Sequence, residues 1–274
     1  MAQSLIAMIL PAPVDASAAL RGKLAALRDT SFALCLFEAE ATSPALLAGL
    51  RGYLEQHRPS GAILLPPLSD DAEVIALCLE LGCNTVRLSS GARAGPVPAL
   101  CSNHRQAEAD ATNYLIAIGH QRIAFIAGPD SCGASRECEL GYIDALAALG
   151  LDRGAEVVPA SDGSFTSRQA LARLLFEVSP RPSAIFAASD ELAAGALHAA
   201  HDLGIVIPGD MSIAGFCDST TATQLSPQLT SVRLPNSEMA FATAIELICG
   251  ANSPPQPVEF FGSLVQRAST RPVA

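Results

Sequence analysis

Residues 183–232, SAIFAASDELAAGALHAAHDLGIVIPGDMSIAGFCDSTTATQLSPQLTSV, decide how this chain is read. Ala184–Ala187 is an apolar run held between Pro182 and the polar pair Ser189-Asp190, the pattern of a strand buried on both faces of a parallel sheet. Ser189 or Asp190 supplies a short side-chain oxygen to cap a helix over 191–203. Leu192, Gly195, Ala196 and Ala199 share one face of that helix, and Gly204 stops it in a left-handed position. A second buried strand over 211–216 then empties into Cys217, Asp218 and a long polar turn. Open α/β sheets hold their ligands at the carboxyl ends of parallel strands. Ser189, Asp190, Cys217 and Asp218 are therefore expected to border one site.

Working outward, the same alternation recurs. Strands are expected over 4–10, 32–37, 62–65, 85–88 and 122–126, with helices over 17–28, 44–57, 71–81 and 104–118 between them. The Gly/Pro-rich stretch 91–98 reads as a surface connection. Gly128-Pro129-Asp130 reads as a crossover into a second series: helix 135–149, strand 156–158, helix 167–178, then the opening stretch. A helix over 236–248, a Pro-rich linker at 253–257 and a hairpin-like pair within 258–266 complete the chain. The fold expected is α/β, two similar doubly wound parallel-sheet lobes. The first lobe takes residues 1–130 plus 234–252, and the second takes 131–233 plus 253–274.

At 274 residues the chain can bury a large core or two lobes. Half of it is apolar, and its net charge of −10 argues against gripping nucleic acid directly, since duplex binding needs clustered cations. The eight cysteines include no Cys-x-x-Cys and read as mostly buried free thiols of a reducing cytoplasm. The apolar run LIAMIL lacks a preceding Lys or Arg and reads as a first strand rather than a signal sequence. No apolar run reaches the ~18 residues a membrane span requires. Walker-type, nucleophile-elbow and dinucleotide glycine motifs are all missing, so neither enzyme activity nor a cofactor is expected. His198 and His201 lie three apart on one helix without a third ligand, and read as a solvated face rather than a metal site.

Several segments carry a family likeness. Ile207-Pro208-Gly209-Asp210-Met211-Ser212-Ile213, Gly215-Phe216-Cys217-Asp218 and Pro227-Gln228-Leu229-Thr230 resemble, with preserved spacing, the effector-binding region of the LacI/GalR family of bacterial transcription regulators. The run from Tyr114 through Gly119-His120 to Gly128-Pro129 is similar to that family's helix, Gly-His and strand signature. Ser135-Arg136 with Gly141-Tyr142, and the ending Arg267-Ala268-Ser269-Thr270, fit as well. The resemblance implies a type I periplasmic-binding-protein-like domain whose lobes are joined by a three-segment hinge, with helix 236–249 returning to the first lobe and the last strands to the second. It implies a cytoplasmic homodimer that senses a small effector and reaches DNA only through a helix-turn-helix module. The first strand begins near Ser4, which leaves no room for that module in this chain. A solute receptor of periplasmic type is the competing function.

The resemblance also implies site residues. Arg136 corresponds to an arginine that holds ligand oxygens, a task suited to its fork of donors, unless it is only an exposed residue on a first helical turn. Phe165 matches an aromatic that stacks on the ligand's flat face, with a core role as the alternative. Ser189 matches a polar contact and Asp190 a helix start. Cys217 stands where a carboxylate normally accepts hydrogen bonds from ligand hydroxyls, and a thiol cannot replace that charge-assisted bond. Asp218 is the neighbouring carboxylate, although adjacent strand residues point oppositely. Ser69 occupies another position that is often Asp, and Ser102 precedes Asn103 where Asp-Asn is usual. A pocket so short of carboxylates points from neutral sugars toward an anionic effector, a sugar acid or phosphate.

Overall fold

A computed structural model describes residues 4–12, 27, 30–89, 95–128, 133–151, 156–159, 165–235, 237–250 and 257–273. The helix expected over 17–28, Pro129-Asp130 and most of the 253–257 linker lie outside the described residues.

Two compact units form, Met1–Ser102 with Pro235–Phe260 and Asn103–Leu234 with Phe261–Ala274. The first contains β1 (Ser4–Pro11), β2 (Phe32–Ala39), α1 (Leu46–His57), β3 (Gly61–Leu64), a 3-10 turn (Leu68–Asp70), α2 (Ala72–Glu80), β4 (Asn84–Ser89) and β5 (Ala99–Ser102). The second contains α3 (His104–Ala117), β6 (Ile123–Ala127), α4 (Gly133–Ala148), β7 (Glu156–Pro159), α5 (Phe165–Glu177), β8 (Ala184–Ala187), α6 (Asp190–Asp202), β9 (Ser212–Phe216), α7 (Thr220–Gln224) and β10 (Thr230–Arg233). The chain then gives α8 (Ser237–Cys249) and β11 (Val258–Phe260) to the first unit, and β12 (Ser263–Val265) to the second.

Each unit is built on one six-stranded sheet, in the orders β11-β5-β4-β3-β1-β2 and β12-β10-β9-β8-β6-β7. The two orders repeat one plan. All pairings in the first sheet are parallel, and in the second only β12 runs antiparallel, against β10. Both faces of each sheet are covered. In β8, Ala184 and Phe186 enter one core cluster while Ile185 and Ala187 enter another. In β1, Ile6, Met8 and Leu10 face one cluster and Ala7 and Ile9 the other. An uninterrupted apolar run is what such doubly covered strands need.

Helix ends follow local chemistry. The Asp71 carboxylate accepts from Glu73 N–H and Val74 N–H to start α2, and Asn103 Oδ1 accepts from Gln106 N–H at 3.1 Å to start α3. Gly204, with φ +70°, closes α6: its N–H bonds to the His201 carbonyl, and Ile205 N–H reaches the Ala200 carbonyl.

The lobe boundary differs from the expected one. The chain changes unit at Ser102/Asn103, not near residue 130, so α3 and β6 belong to the second sheet, where β6 pairs with β7 and β8. A strand–helix alternation looks the same whichever sheet receives it, and the true crossing holds a helix cap where no Gly or Pro marks it. Gly128, the described residue of that Gly/Pro run, instead follows β6 within the second unit. Nor do residues 258–266 form a hairpin. β11 extends the first sheet beside β5, and β12 extends the second beside β10. Strands of three residues gain little from pairing with each other and more from the edge of a sheet already built. Short strands β5 and β10 and the five-residue α7 were not expected from the sequence.

Helices α3 and α4 pack so closely that a side chain at Gly141 would approach the Arg105 carbonyl oxygen to 2.2 Å. Arg105 and Asp144 clasp the outside of this seam with contacts of 2.5 and 2.9 Å. Inside it lies the Glu108 carboxyl, fully buried, with Thr112 Oγ1 donating to one oxygen at 3.1 Å and no partner for the other among the described residues.

Candidate functional site

In each sheet the chain order reverses beside one strand, between β1 and β3 in the first unit and between β6 and β8 in the second. Such switch points are where doubly wound sheets open a crevice beyond their carboxyl ends. Ser69 follows β3, Arg136 follows β6, and Ser189-Asp190 follow β8. Cys217-Asp218 follow β9, the next strand along. Topology therefore brings Arg136, Ser189, Asp190, Cys217 and Asp218 to one edge of the second sheet, and sets Ser69 at the matching edge of the first.

Their side chains are occupied very differently. Asp190 is fully buried, with Oδ1 accepting from Ser231 Oγ at 2.5 Å and Oδ2 from Ser219 N–H at 2.6 Å. Burial raises its pKa and these hydrogen bonds oppose the rise. Gly215 on β9 makes room for it, since a Cβ there would lie 2.7 Å from Asp190 Oδ1. Ser231 Oγ in turn accepts from Asp218 N–H at 3.0 Å, which links α6, β10 and the turn after β9.

Asp218 is the second closed residue. Its side chain is 4 % exposed, and its two oxygens meet Arg267 Nη2 at 2.5 Å and Arg233 Nε at 2.6 Å. Arg267 also donates to the Leu229 carbonyl at 2.6 Å. Ser269 and Thr270 complete a staple: Ser269 Oγ accepts from Thr230 N–H at 2.8 Å and donates to the Ile213 carbonyl at 2.6 Å, while Thr270 Oγ1 lies 2.9 Å from Thr230 Oγ1. The Arg-x-Ser-Thr ending thus binds the last residues of the chain to β9 and β10.

The side-chain alternation expected at 217–218 does not apply. The strand ends at Phe216, and Cys217 and Asp218 both take left-handed backbone angles, φ +100° and +46°. This turn leaves Cys217 exposed while Asp218 folds back onto its two arginines.

The remaining candidates are held in different ways. Arg136 sits in the first turn of α4, 58 % exposed, with Nη1 2.7 Å from Glu139 Oε1 one turn on. Ser189 caps α6, its hydroxyl accepting from Leu192 N–H at 3.2 Å. Ser69 lies fully buried in the 3-10 turn after β3, and its hydroxyl oxygen has no partner among the described residues. Phe165 begins α5, and its side chain lies outside the described residues. His198 lies 3.9 Å from Asp202 on its own helix.

The sequence did not single out Ser231 or Arg233, and it offered Arg267 only as part of the family ending, without a partner. The signal for them was chemical: two carboxylates at one strand edge of a domain need donors or cations, and only the tertiary fold says which of the 17 basic residues arrive.

The comparisons with known proteins agree with this architecture. A family model described as "Periplasmic binding protein-like domain" matches residues 112–270. The HTH-type transcriptional regulator AscG of Escherichia coli K12 is 33 % identical over 170 residues, 61 % of this chain and 50 % of that protein. A solved complex of the transcriptional regulator CelR with cellobiose superposes with a TM-score of 0.79 at 26 % identity, covering 98 % of this chain and 86 % of the other. A LacI family regulator from Enterococcus faecium with bound ribose gives a TM-score of 0.83 at 20 % identity, covering 99 % and 100 %, a likeness of fold. The chain spans about half the length of the curated relatives it matches.

Proposed function

The chain belongs to the periplasmic binding protein-like domain family, in the effector-binding form found among LacI-type regulators, and from that premise we propose that it senses a small molecule for a bacterial transcriptional regulator. The effector is a sugar or sugar derivative that engages both units and shifts them between two arrangements about a three-segment hinge. A homodimer passes that shift to a DNA-binding module outside these residues, in the cytoplasm and without catalysis. A ligand moves such an equilibrium only by its difference in affinity for the two states.

The carrying observation is the repeated sheet plan with polar residues gathered at corresponding strand edges, Ser69 in one unit and Arg136, Ser189 and Cys217 in the other. We assign ligand contact to these four and to Phe165, and give Asp190 and Asp218 the role of frame, because their oxygens already serve protein donors. With both carboxylates occupied and a thiol at 217, the exposed guanidinium of Arg136 favours an anionic effector such as a sugar acid or sugar phosphate. The relative solved with cellobiose supports a carbohydrate scaffold. Exposed Leu79 on the first unit, and Leu174, Leu203 and Val206 on the second, support self-association. No helix among the described residues is long and apolar enough to cross a membrane.

A thermal-shift screen over neutral sugars, sugar acids, sugar phosphates and purines tests the reading. A ligand at about 100 times its Kd adds about 2.7 kcal/mol. Acids or phosphates are expected to raise the midpoint more than neutral hexoses. Tight hexose binding alone removes the anionic assignment, and no shift from any class sinks the sensor. The alternative, a solute receptor unlinked to DNA binding, rests on the family's shared architecture. Operator DNA retention by the full-length gene product decides between them.

A further inference from the structure

His120 follows α3, buried to 3 % exposure, and both ring nitrogens are engaged. Nδ1 lies 3.0 Å from Ser183 Oγ and Nε2 lies 3.0 Å from Ser212 Oγ. The two hydroxyls differ in what else they hold. Ser183 Oγ has the Arg122 carbonyl in reach at 3.2 Å, and when its proton goes there it accepts from Nδ1–H. Ser212 Oγ accepts from Arg271 N–H at 3.1 Å, and its proton has two acceptors in reach, Nε2 at 3.0 Å and the Arg271 carbonyl at 3.4 Å. A neutral ring with its proton on Nδ1 satisfies every group. A second proton, taken from solvent onto Nε2, turns that nitrogen into a donor that competes with Arg271 N–H for the Ser212 oxygen, and buries a positive charge beneath the segment that carries Arg271.

What this network holds is the end of the chain. Arg271 is tied to Ser212, and its guanidinium donates to the Gly209 carbonyl. Val273 N–H bonds to the Ile118 carbonyl at 2.9 Å, and the Val273 side chain lies over Gly119. The charged groups on the surrounding elements are Arg122 ahead of β6, Arg181 ahead of β8, Asp210 ahead of β9, and Arg271. All three arginines turn onto backbone carbonyls, of Arg181, Phe176 and Gly209. Asp210 Oδ2 accepts from Val206 N–H at 2.8 Å. None of these contacts offers a carboxylate to a charged imidazole.

We propose that His120 is a proton-operated latch: neutral and protonated on Nδ1, it fastens residues 271–273 to the starts of β6, β8 and β9, and a second proton loosens that segment. Burial lowers the His120 pKa, with the Arg271 carbonyl opposing, which agrees in direction with the geometry. The contribution is therefore present above the ordinary histidine range and lost as pH falls through the folded value.

Nitrogen-15 NMR of the imidazole in the full chain reads the tautomer directly, and hydrogen exchange of the 268–273 peptide, corrected for intrinsic rates, reads the segment. The expected result is an Nδ1–H tautomer at pH 7.5, titrating below an unfolded-chain histidine, with exchange of the peptide rising about tenfold or more across that titration. His120→Gln is expected to remove this pH-dependent part. Should that variant fail to fold, Ser212→Ala takes its place, with tail exchange raised at neutral pH and less pH-dependent. An Nε2–H tautomer overturns the latch. So does tail exchange that stays flat while His120 titrates, or an unchanged pH profile in the variant that folds.

Discussion

The two switch-point edges share one topology and opposite states of occupation. In the second unit, Asp190 and Asp218 are closed by four protein donors from Ser231, Ser219, Arg233 and Arg267. In the first, the Ser69 hydroxyl is buried with no partner among the described residues. A carboxylate surrounded by its own donors holds a fold together, whereas a buried unsatisfied hydroxyl costs stability and keeps its bonding capacity. The family position of a residue therefore does not tell whether it serves the frame or the ligand. The partners decide.

Substitutions can break or sharpen that contrast. Asp190→Ala is expected to cost most, about 3 kcal/mol, because it strands the buried Ser231 hydroxyl and the Ser219 N–H. A lowered urea midpoint at unchanged m-value measures it, and a loss below about 1 kcal/mol would remove Asp190 from the frame. Asp218→Ala follows at about 2 kcal/mol, since Arg267, 11 % exposed, loses a charge-assisted partner while Arg233 is well solvated. The same denaturation at low and high salt checks it, and a loss of stability that salt abolishes would mean a surface pair only.

Glu108→Gln is expected to act in the other direction. Burial holds this carboxyl well above the usual carboxylate range, with the Thr112 hydroxyl opposing. A raised folded pKa means its contribution is full below about 4.5 and lost as pH rises through the folded value. The variant should thus gain about 1 kcal/mol at pH 8 and converge with the parent in acid, seen as melting curves that merge. A variant less stable at every pH defeats this account. Ser69→Ala should hold stability or raise it by less than about 1 kcal/mol, because it removes a buried hydroxyl that has no partner among the described residues, while altering affinity for any effector found in the screen. A large loss of stability with unaltered affinity would place Ser69 in the frame.

Much of the fold was legible because both sheets bury two faces. The runs at 4–10, 123–126 and 184–187 are apolar without alternation, and glycines end the helices between them. The boundary was not legible, because β6 carries the same pattern as any central strand and Ser102-Asn103 bears no breaker. The short strands β5, β10, β11 and β12 were obscure or misassigned for a related reason, since three or four residues hold too little pattern to name a partner. Of the candidate residues, Ser189 and Cys217 follow β8 and β9, the strands whose ends the sequence pattern marked there. The sequence could not show that Arg233 and Arg267 would close Asp218, because those residues arrive from 15 and 49 positions away.

By itself, then, the sequence determined the α/β class, the number and rough extent of the long elements, and the family. Those depend on local periodicity and on short motifs whose residues are neighbours in the chain. The tertiary structure alone decided which sheet each strand joins, which carboxylates are already neutralised, and that His120 meets Ser212 across 92 residues. Such pairings depend on side chains brought together only by folding, and their energies come from burial and hydrogen bonding that no local window contains.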